Sequence, residues 1–157
     1  MSSPRRLTVV GAGGAVGSHV VPLLARLPGV GRITLVDPDR YEARNLAGQD
    51  ITPADVGHAK VEVQAQRLRA RLPGAEVIAL AERVEDVAPG WLRADVMLAC
   101  VDSRRARQVV NERALALGMP WIDAGLGVLP GGSLLARVAV YAPGPGQRTA
   151  GAAGATG

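Results

Sequence analysis

Short aliphatic runs alternate along this chain with longer segments in which apolar positions recur every third or fourth residue. Residues 7–10 form a β-branched, apolar run ending in Gly11, as a buried strand does. From Val16 the period lengthens. Val16, Val20, Leu23, Leu24 and Leu27 fall at helical spacing on one face and predict a helix that ends at Pro28-Gly29. Pro22 should kink it, because its ring removes the bond to the Ser18 carbonyl. Residues 33–36 predict a second strand closed by Asp37-Pro38, and residues 39–58 a polar loop long enough to suggest function. Val61, Ala65, Leu68 and Leu72 stripe a second helix, stopped by Pro73-Gly74. Strands follow at residues 77–80 and 96–101. Ala106, Val109, Val110, Ala114 and Leu117 mark a third helix ending at Gly118. Trp121-Ile122 is a short fifth strand and residues 134–141 a sixth.

Strands alternating with helices predict an α/β fold, a mostly parallel sheet covered on both faces by right-handed crossovers. With a glycine-rich first turn this is a Rossmann-like, doubly wound, three-layer α/β/α domain. It should occupy residues 1–141, followed by a disordered Gly/Ala/Pro-rich tail at 142–157.

Composition narrows the possibilities. Apolar residues make up 48% and charged residues 20%, which excludes wholesale disorder. Aromatics are 3% with no Phe, so the core is aliphatic and stacking platforms for single-stranded nucleic acid are missing. No apolar run approaches the ~20 residues that cross a bilayer, and the start of the chain lacks the apolar core of a signal peptide. A soluble cytoplasmic protein is expected, with neither membrane nor nucleic acid as partner. The single cysteine, Cys100, excludes an internal disulfide and a Cys-rich zinc site. The net charge of +4 comes from 17 arginines and one lysine against 14 acids. The arginines are scattered, as on a solvated surface. Lys60 is the exception: a compact ammonium where the chain otherwise uses guanidinium.

The first turn reads Gly11-Ala12-Gly13-Gly14-Ala15-Val16-Gly17-Ser18. Placed between strand and helix, it allows a tight turn and lets a phosphate approach backbone N–H groups at the helix's positive end. Asp37, 20 residues after Gly17, closes the second strand, where a carboxylate accepts hydrogen bonds from a ribose. Together these indicate an adenosine ribonucleotide and leave NAD and ATP open.

Further motifs separate the two. Leu35-Val36-Asp37-Pro38-Asp39, then Asn45-Leu46-Ala47-Gly48-Gln49, then Gly57-His58-Ala59-Lys60, then Asp102-Ser103 with Arg107 and Asn111 occur in this order. The chain resembles the ubiquitin-activating superfamily, whose bacterial ThiF/MoeB-like members adenylylate the C-terminal carboxylate of a ubiquitin-like sulfur carrier. The resemblance implies ATP and Mg²⁺ as cofactors, a carrier-protein tail as partner and a homodimer. It also implies roles: Asp37 on the ribose with Asp39 beside it, Asn45 and Gln49 along the phosphates, Lys60 on phosphate charge, and Asp102, next to Ser103, toward Mg²⁺.

The match has departures. The first turn has one residue more than the family spacing between Gly13 and Gly17, and Gly48 replaces an arginine for which Arg40 or Arg44 could substitute. The N-terminal segment that lends a partner subunit an arginine is absent unless Arg5 or Arg6 serves, and the paired Cys-x-x-Cys motifs that bind zinc in many relatives are missing. The chain reads as the nucleotide-binding half alone. Two other readings stand beside the leading one: an NAD-dependent oxidoreductase, and a nucleotide-binding module without turnover. Asp102 with Ser103 could instead cap the third helix, and Arg107 with Asn111 could form a solvent-facing pair. Cys100, inside a strand, is expected to be an inert buried thiol.

Overall fold

The computed structural model describes residues 3–144. Its strands are β1 (Arg5–Val10), β2 (Val30–Val36), β3 (Glu76–Leu80), β4 (Val96–Ala99), β5 (Trp121–Val128) and β6 (Leu134–Tyr141). They form one sheet in the order β3-β2-β1-β4-β5-β6, parallel from β3 through β5, with β6 antiparallel to β5 at the edge. The α-helices are α1 (Gly17–Val20), α2 (Lys60–Arg71), α3 (Pro89–Leu92) and α4 (Arg104–Ala116). No helix among the described residues is long and apolar enough to cross a membrane.

Two cores lie on opposite faces of the sheet. Leu7 and Val9 of β1, Ile33 and Leu35 of β2 and Val77 of β3 pack against Val61, Ala65 and Leu68 of α2. Val10, Val36, Met97, Ala99 and Trp121 face the other way, against Leu92 of α3 and Val110 and Ala114 of α4. Successive strand side chains point to opposite faces, so a strand covered on both sides reads as an unbroken apolar run. This explains the run at residues 7–10. Each fully buried aliphatic side chain contributes about 1.5–3 kcal/mol.

The helix expected from Val16 onward is not continuous. After α1 the chain tightens into a 3₁₀ turn over Val21–Arg26. Pro22 lacks an N–H and its ring opposes the Ser18 carbonyl, so the α pattern cannot run through it. In the 3₁₀ turn residues three apart share a face. Val21 and Leu24 are therefore buried, whereas Leu23 and Leu27 point to solvent at 53% and 42% exposure.

Residues 39–58 are more ordered than a plain loop. They contain 3₁₀ turns at Ala43–Ala47 and Pro53–Asp55 and a bridge between Arg40 and Ala59. Arg67 of α2 clamps this segment, donating to Asp55 Oδ2 at 2.8 Å and to the Asp50 carbonyl. β5 runs well past the expected Trp121-Ile122, because Gly125 and Gly127 break the apolar pattern while their backbones still pair with β6. The tail expected to be disordered falls mostly outside the described residues. Of its start, Pro143 is buried.

The connections leave β1 toward β2 on one side and return to β4 on the other. The strand order thus reverses between β1 and β4, which opens a crevice beyond their carboxyl ends.

Candidate functional site

A cleft of about 440 Å³ occupies that crevice. Gly11 and Gly14 of the first turn, Asp37, Asp39, Gln49, Lys60, Asp102 and Ser103 line it. The turn reaches this position through contacts that only glycine allows. Gly11 has φ +77°, and a Cβ there would lie 2.6 Å from the Cys100 carbonyl oxygen. A Cβ at Gly17 would lie 2.1 Å from the Gly11 carbonyl oxygen, and one at Gly13 would lie 2.3 Å from Lys60 Cβ. Gly13 and Gly17 therefore stand behind the lining and let it close up.

Asp37, at the end of β2, is 4% exposed. Its Oδ2 accepts the Gly13 N–H at 2.9 Å and its Oδ1 the Asp39 N–H at 3.1 Å. Burial pushes its pKa above the ordinary carboxylate value, opposed by those two N–H groups and by Lys60. Lys60 opens α2 with its side chain buried. Its Nζ lies 3.5 Å from Asp39 Oδ2 and 5.7 Å from the Tyr41 ring centroid. Burial raises the Tyr41 phenol to about 12, and its oxygen accepts from Gln64 Nε2 at 2.8 Å. Gln49 Oε1 is buried without a hydrogen-bond partner among the described residues.

At the end of β4 the two candidate roles separate. Ser103 caps α4, accepting the Ala106 N–H at 3.1 Å. Asp102 is exposed and makes no hydrogen bond or ion pair with other described residues. Among the described residues no group of three or more His, Cys, Asp or Glu gathers as a metal cluster.

Arg44 and Asn45 do not reach the lining. Arg44 pairs with Glu42 at 2.9 Å on the surface, and Asn45 Oδ1 accepts the Glu42 N–H at 2.9 Å in a local cap. Arg40 donates to the Gly57 carbonyl at 2.9 Å, also away from the cleft. The arginines that line it are Arg83 and Arg105, neither singled out from the sequence. Arg105 stands two residues after Ser103 and could have been found from the Asp102-Ser103 motif; Arg83 stands in a segment without periodicity.

Arg107 is not solvent-facing. Its Nε donates to Asp123 Oδ1 at 2.7 Å and its Nη2 to the Val101 carbonyl at 2.9 Å. Asp123 is a buried carboxylate within β5 that also accepts from Arg137. Its signal in the sequence was an acid directly after Trp121-Ile122. Cys100 is 6% exposed, and burial, with the Asp123 charge acting in the same sense, raises its thiol to about 11. At neutral pH it is protonated and a poor nucleophile.

A sequence model of the ThiF family matches residues 3–142. The chain belongs to the ThiF family. Within it, the chain is 34% identical over 122 residues to the sulfur carrier protein ThiS adenylyltransferase of Escherichia coli (strain K12), an overlap of 76% of this chain and 48% of that protein. It is 31% identical over 135 residues to ubiquitin-like modifier-activating enzyme 5 of Oryza sativa subsp. japonica, over 76% of this chain and 32% of the relative. The fold matches the crystal structure of E. coli MccB with ATP at a TM-score of 0.74 and 29% identity, covering 90% of this chain and 42% of that one. The ThiF-family domain described here thus spans about half the length, or less, of these relatives.

Proposed function

We propose that this ThiF-family chain binds ATP with Mg²⁺ in the cleft and adenylylates the C-terminal carboxylate of a ubiquitin-like or sulfur-carrier protein. The observation that carries this reading is the convergence of Asp37, Lys60 and Asp102, from three separate motifs, on one cleft beside the glycine-rich turn. The names of the relatives and the ATP complex of MccB support it.

In this reading Asp37 holds the ribose hydroxyls with the lone pairs its two backbone donors leave free. Gln49 Oε1 supplies a buried, unused acceptor to the nucleotide. Lys60, Arg83 and Arg105 offset phosphate charge, the two arginines in place of the one that Gly48 lacks. The donor set also fits Mg²⁺. Asp102 has no partner among the described residues, and a cation held by one or two carboxylates plus phosphates is the usual arrangement. When bound, Mg²⁺ neutralises phosphate charge. An oxygen of the carrier's carboxylate bonds to the α-phosphorus. The bond from that phosphorus to its bridging oxygen breaks, and pyrophosphate leaves with the electron pair. Such transfer needs positioning and charge neutralisation and no protein nucleophile, in keeping with the protonated Cys100. ATP as substrate supports a cytoplasmic location. Exposed Val128, Leu134, Val138 and Val140 on the β5–β6 hairpin support a homodimer.

Calorimetric titration tests the nucleotide. Mg-ATP should bind more tightly than NAD, and Asp37→Ala should weaken it by roughly 1–3 kcal/mol through lost charged hydrogen bonds. Tighter binding of NAD would overturn the proposal. A second reading, nucleotide binding without turnover, is favoured by Gly48, which takes a fixed positive charge from the phosphate site. ATP–pyrophosphate exchange on addition of a sulfur-carrier protein distinguishes the two. The leading reading expects exchange, and binding without it would favour the second.

A further inference from the structure

The wall of the cleft that carries Asp102 is built from three segments: the turn after β4, the first turns of α4, and the far half of β5. One side chain joins all three. Arg107 projects from α4, its Nε bonds Asp123 of β5 at 2.7 Å, and its Nη2 bonds the Val101 carbonyl at 2.9 Å. Its tip also fills the notch left by Gly125, where a Cβ would lie 2.8 Å from Nη2. Trp121, Asp123 and Gly125 share one face of β5, the face turned toward α4. Gly125 and Leu126 line the cleft itself.

The Val101 carbonyl belongs to the peptide unit that joins Val101 to Asp102, and that unit is planar. Holding this oxygen therefore holds the position of the Asp102 Cα, the point from which its carboxylate extends. Among the described residues Asp102 has no hydrogen bond or ion pair of its own to serve instead. The guanidinium is a rigid planar fork, so its grip on the Asp123 carboxylate sets where its other arm meets the carbonyl. Asp123 in turn is fixed from its second oxygen by Arg137 of β6.

We infer that Arg107 is a positioning residue for Asp102, with buried Asp123 as its anchor and Gly125 as the space that admits it. The inference rests on the proposed function, in which Asp102 acts toward Mg²⁺. Arg107 touches neither nucleotide nor metal; it sets how well the Asp102 carboxylate can serve a cation bound with the phosphates. A lysine at 107 keeps a charge near Asp123 but cannot present two donors in a fixed plane.

ATP titrations with and without Mg²⁺ on the whole chain test this, using wild type, Asp102→Asn, Arg107→Lys and Gly125→Ala, each checked by thermal melting. Arg107→Lys should reduce the Mg²⁺-dependent gain in ATP affinity by about tenfold, the scale of a lost hydrogen bond at a charged group, and leave metal-free affinity within about twofold. Gly125→Ala, which obliges only the flexible tip of Arg107 to move, should reduce the gain by roughly threefold. It keeps the test open if Arg107→Lys fails to fold. Equal weakening with and without metal, or an undiminished gain in both variants, overturns the inference. If Asp102→Asn loses the gain while both other variants keep it, the inference falls and the proposed function stands. If Asp102→Asn keeps the gain, the metal assignment falls and the inference with it.

Discussion

Asp37 keeps a carboxylate where water scarcely reaches, and this has a consequence in pH. Burial raises its pKa above 3.8, so the folded chain binds the proton more tightly than the unfolded one. The ionised group therefore opposes folding. That contribution is complete above the raised folded value and disappears as the pH falls to 3.8 and below. Asp55 behaves oppositely. Its burial is outweighed by the Thr52 N–H and hydroxyl and by Arg67, and its pKa is lowered. It stabilises above 3.8 and loses that effect as the pH falls through the lowered value. Urea unfolding across a pH series should accordingly move the wild-type-minus-Asp37→Asn difference in the wild type's favour on acidification, whereas the wild-type advantage over Asp55→Asn should shrink. A pH-independent difference for Asp37 would mean that the carboxylate is solvated. Asp37, Lys60 and Asp102 were legible in the sequence because each belongs to a spaced motif. Arg107 belonged to the Asp102 motif as well, but its pairing with Asp123 was not legible, because it joins a strand and a helix whose relative placement no local pattern encodes.

At the scale of elements, the glycine-rich turn is a packing device whose members are unequal. A Cβ on Gly17 would meet the Gly11 carbonyl oxygen at 2.1 Å and Ala12 backbone atoms at 2.7 Å, none of them free to move. On Gly14 the nearest atoms would be 3.6 and 3.7 Å away, ordinary contact distances. Gly17→Ala should therefore cost more than about 3 kcal/mol, beyond ordinary overpacking, and Gly14→Ala less than about 1 kcal/mol. Denaturant unfolding measures both, and similar losses would mean that the turn relaxes more freely than its geometry implies. β1 and β2 were legible because both of their faces are buried and the pattern is continuous. The helix after the turn breaks at Pro22 as its ring requires, but its apolar face differs from the expected one. Periodicity counts spacing, and Leu23 and Leu27 satisfy an α spacing that Pro22 prevents the backbone from adopting. The order within residues 39–58 was hidden for a related reason: Arg67 imposes it from a helix beyond the segment.

At the scale of the whole molecule, the sheet ends on β6, an edge strand with large apolar side chains in water: Leu134 at 76% exposure, and Val138 and Val140 at 70% each. Exposed apolar surface of this kind marks a contact site. Light scattering on the purified chain is expected to give the mass of a dimer, and Val138→Glu with Val140→Glu to give a monomer that melts as a single transition. A monomeric wild type would remove the dimer. A second consequence follows from Lys60 being the one lysine in the chain. Apart from the α-amine, an acylating reagent has a single side-chain target in the molecule, and that target is 7% exposed and borders the cleft. Intact-mass spectrometry after acylation should resolve two additions, one at the α-amine and a slow one at Lys60. Saturating ATP should suppress only the slow addition. The wild-type chain thus carries a built-in occupancy reporter that needs neither an introduced label nor a working reaction.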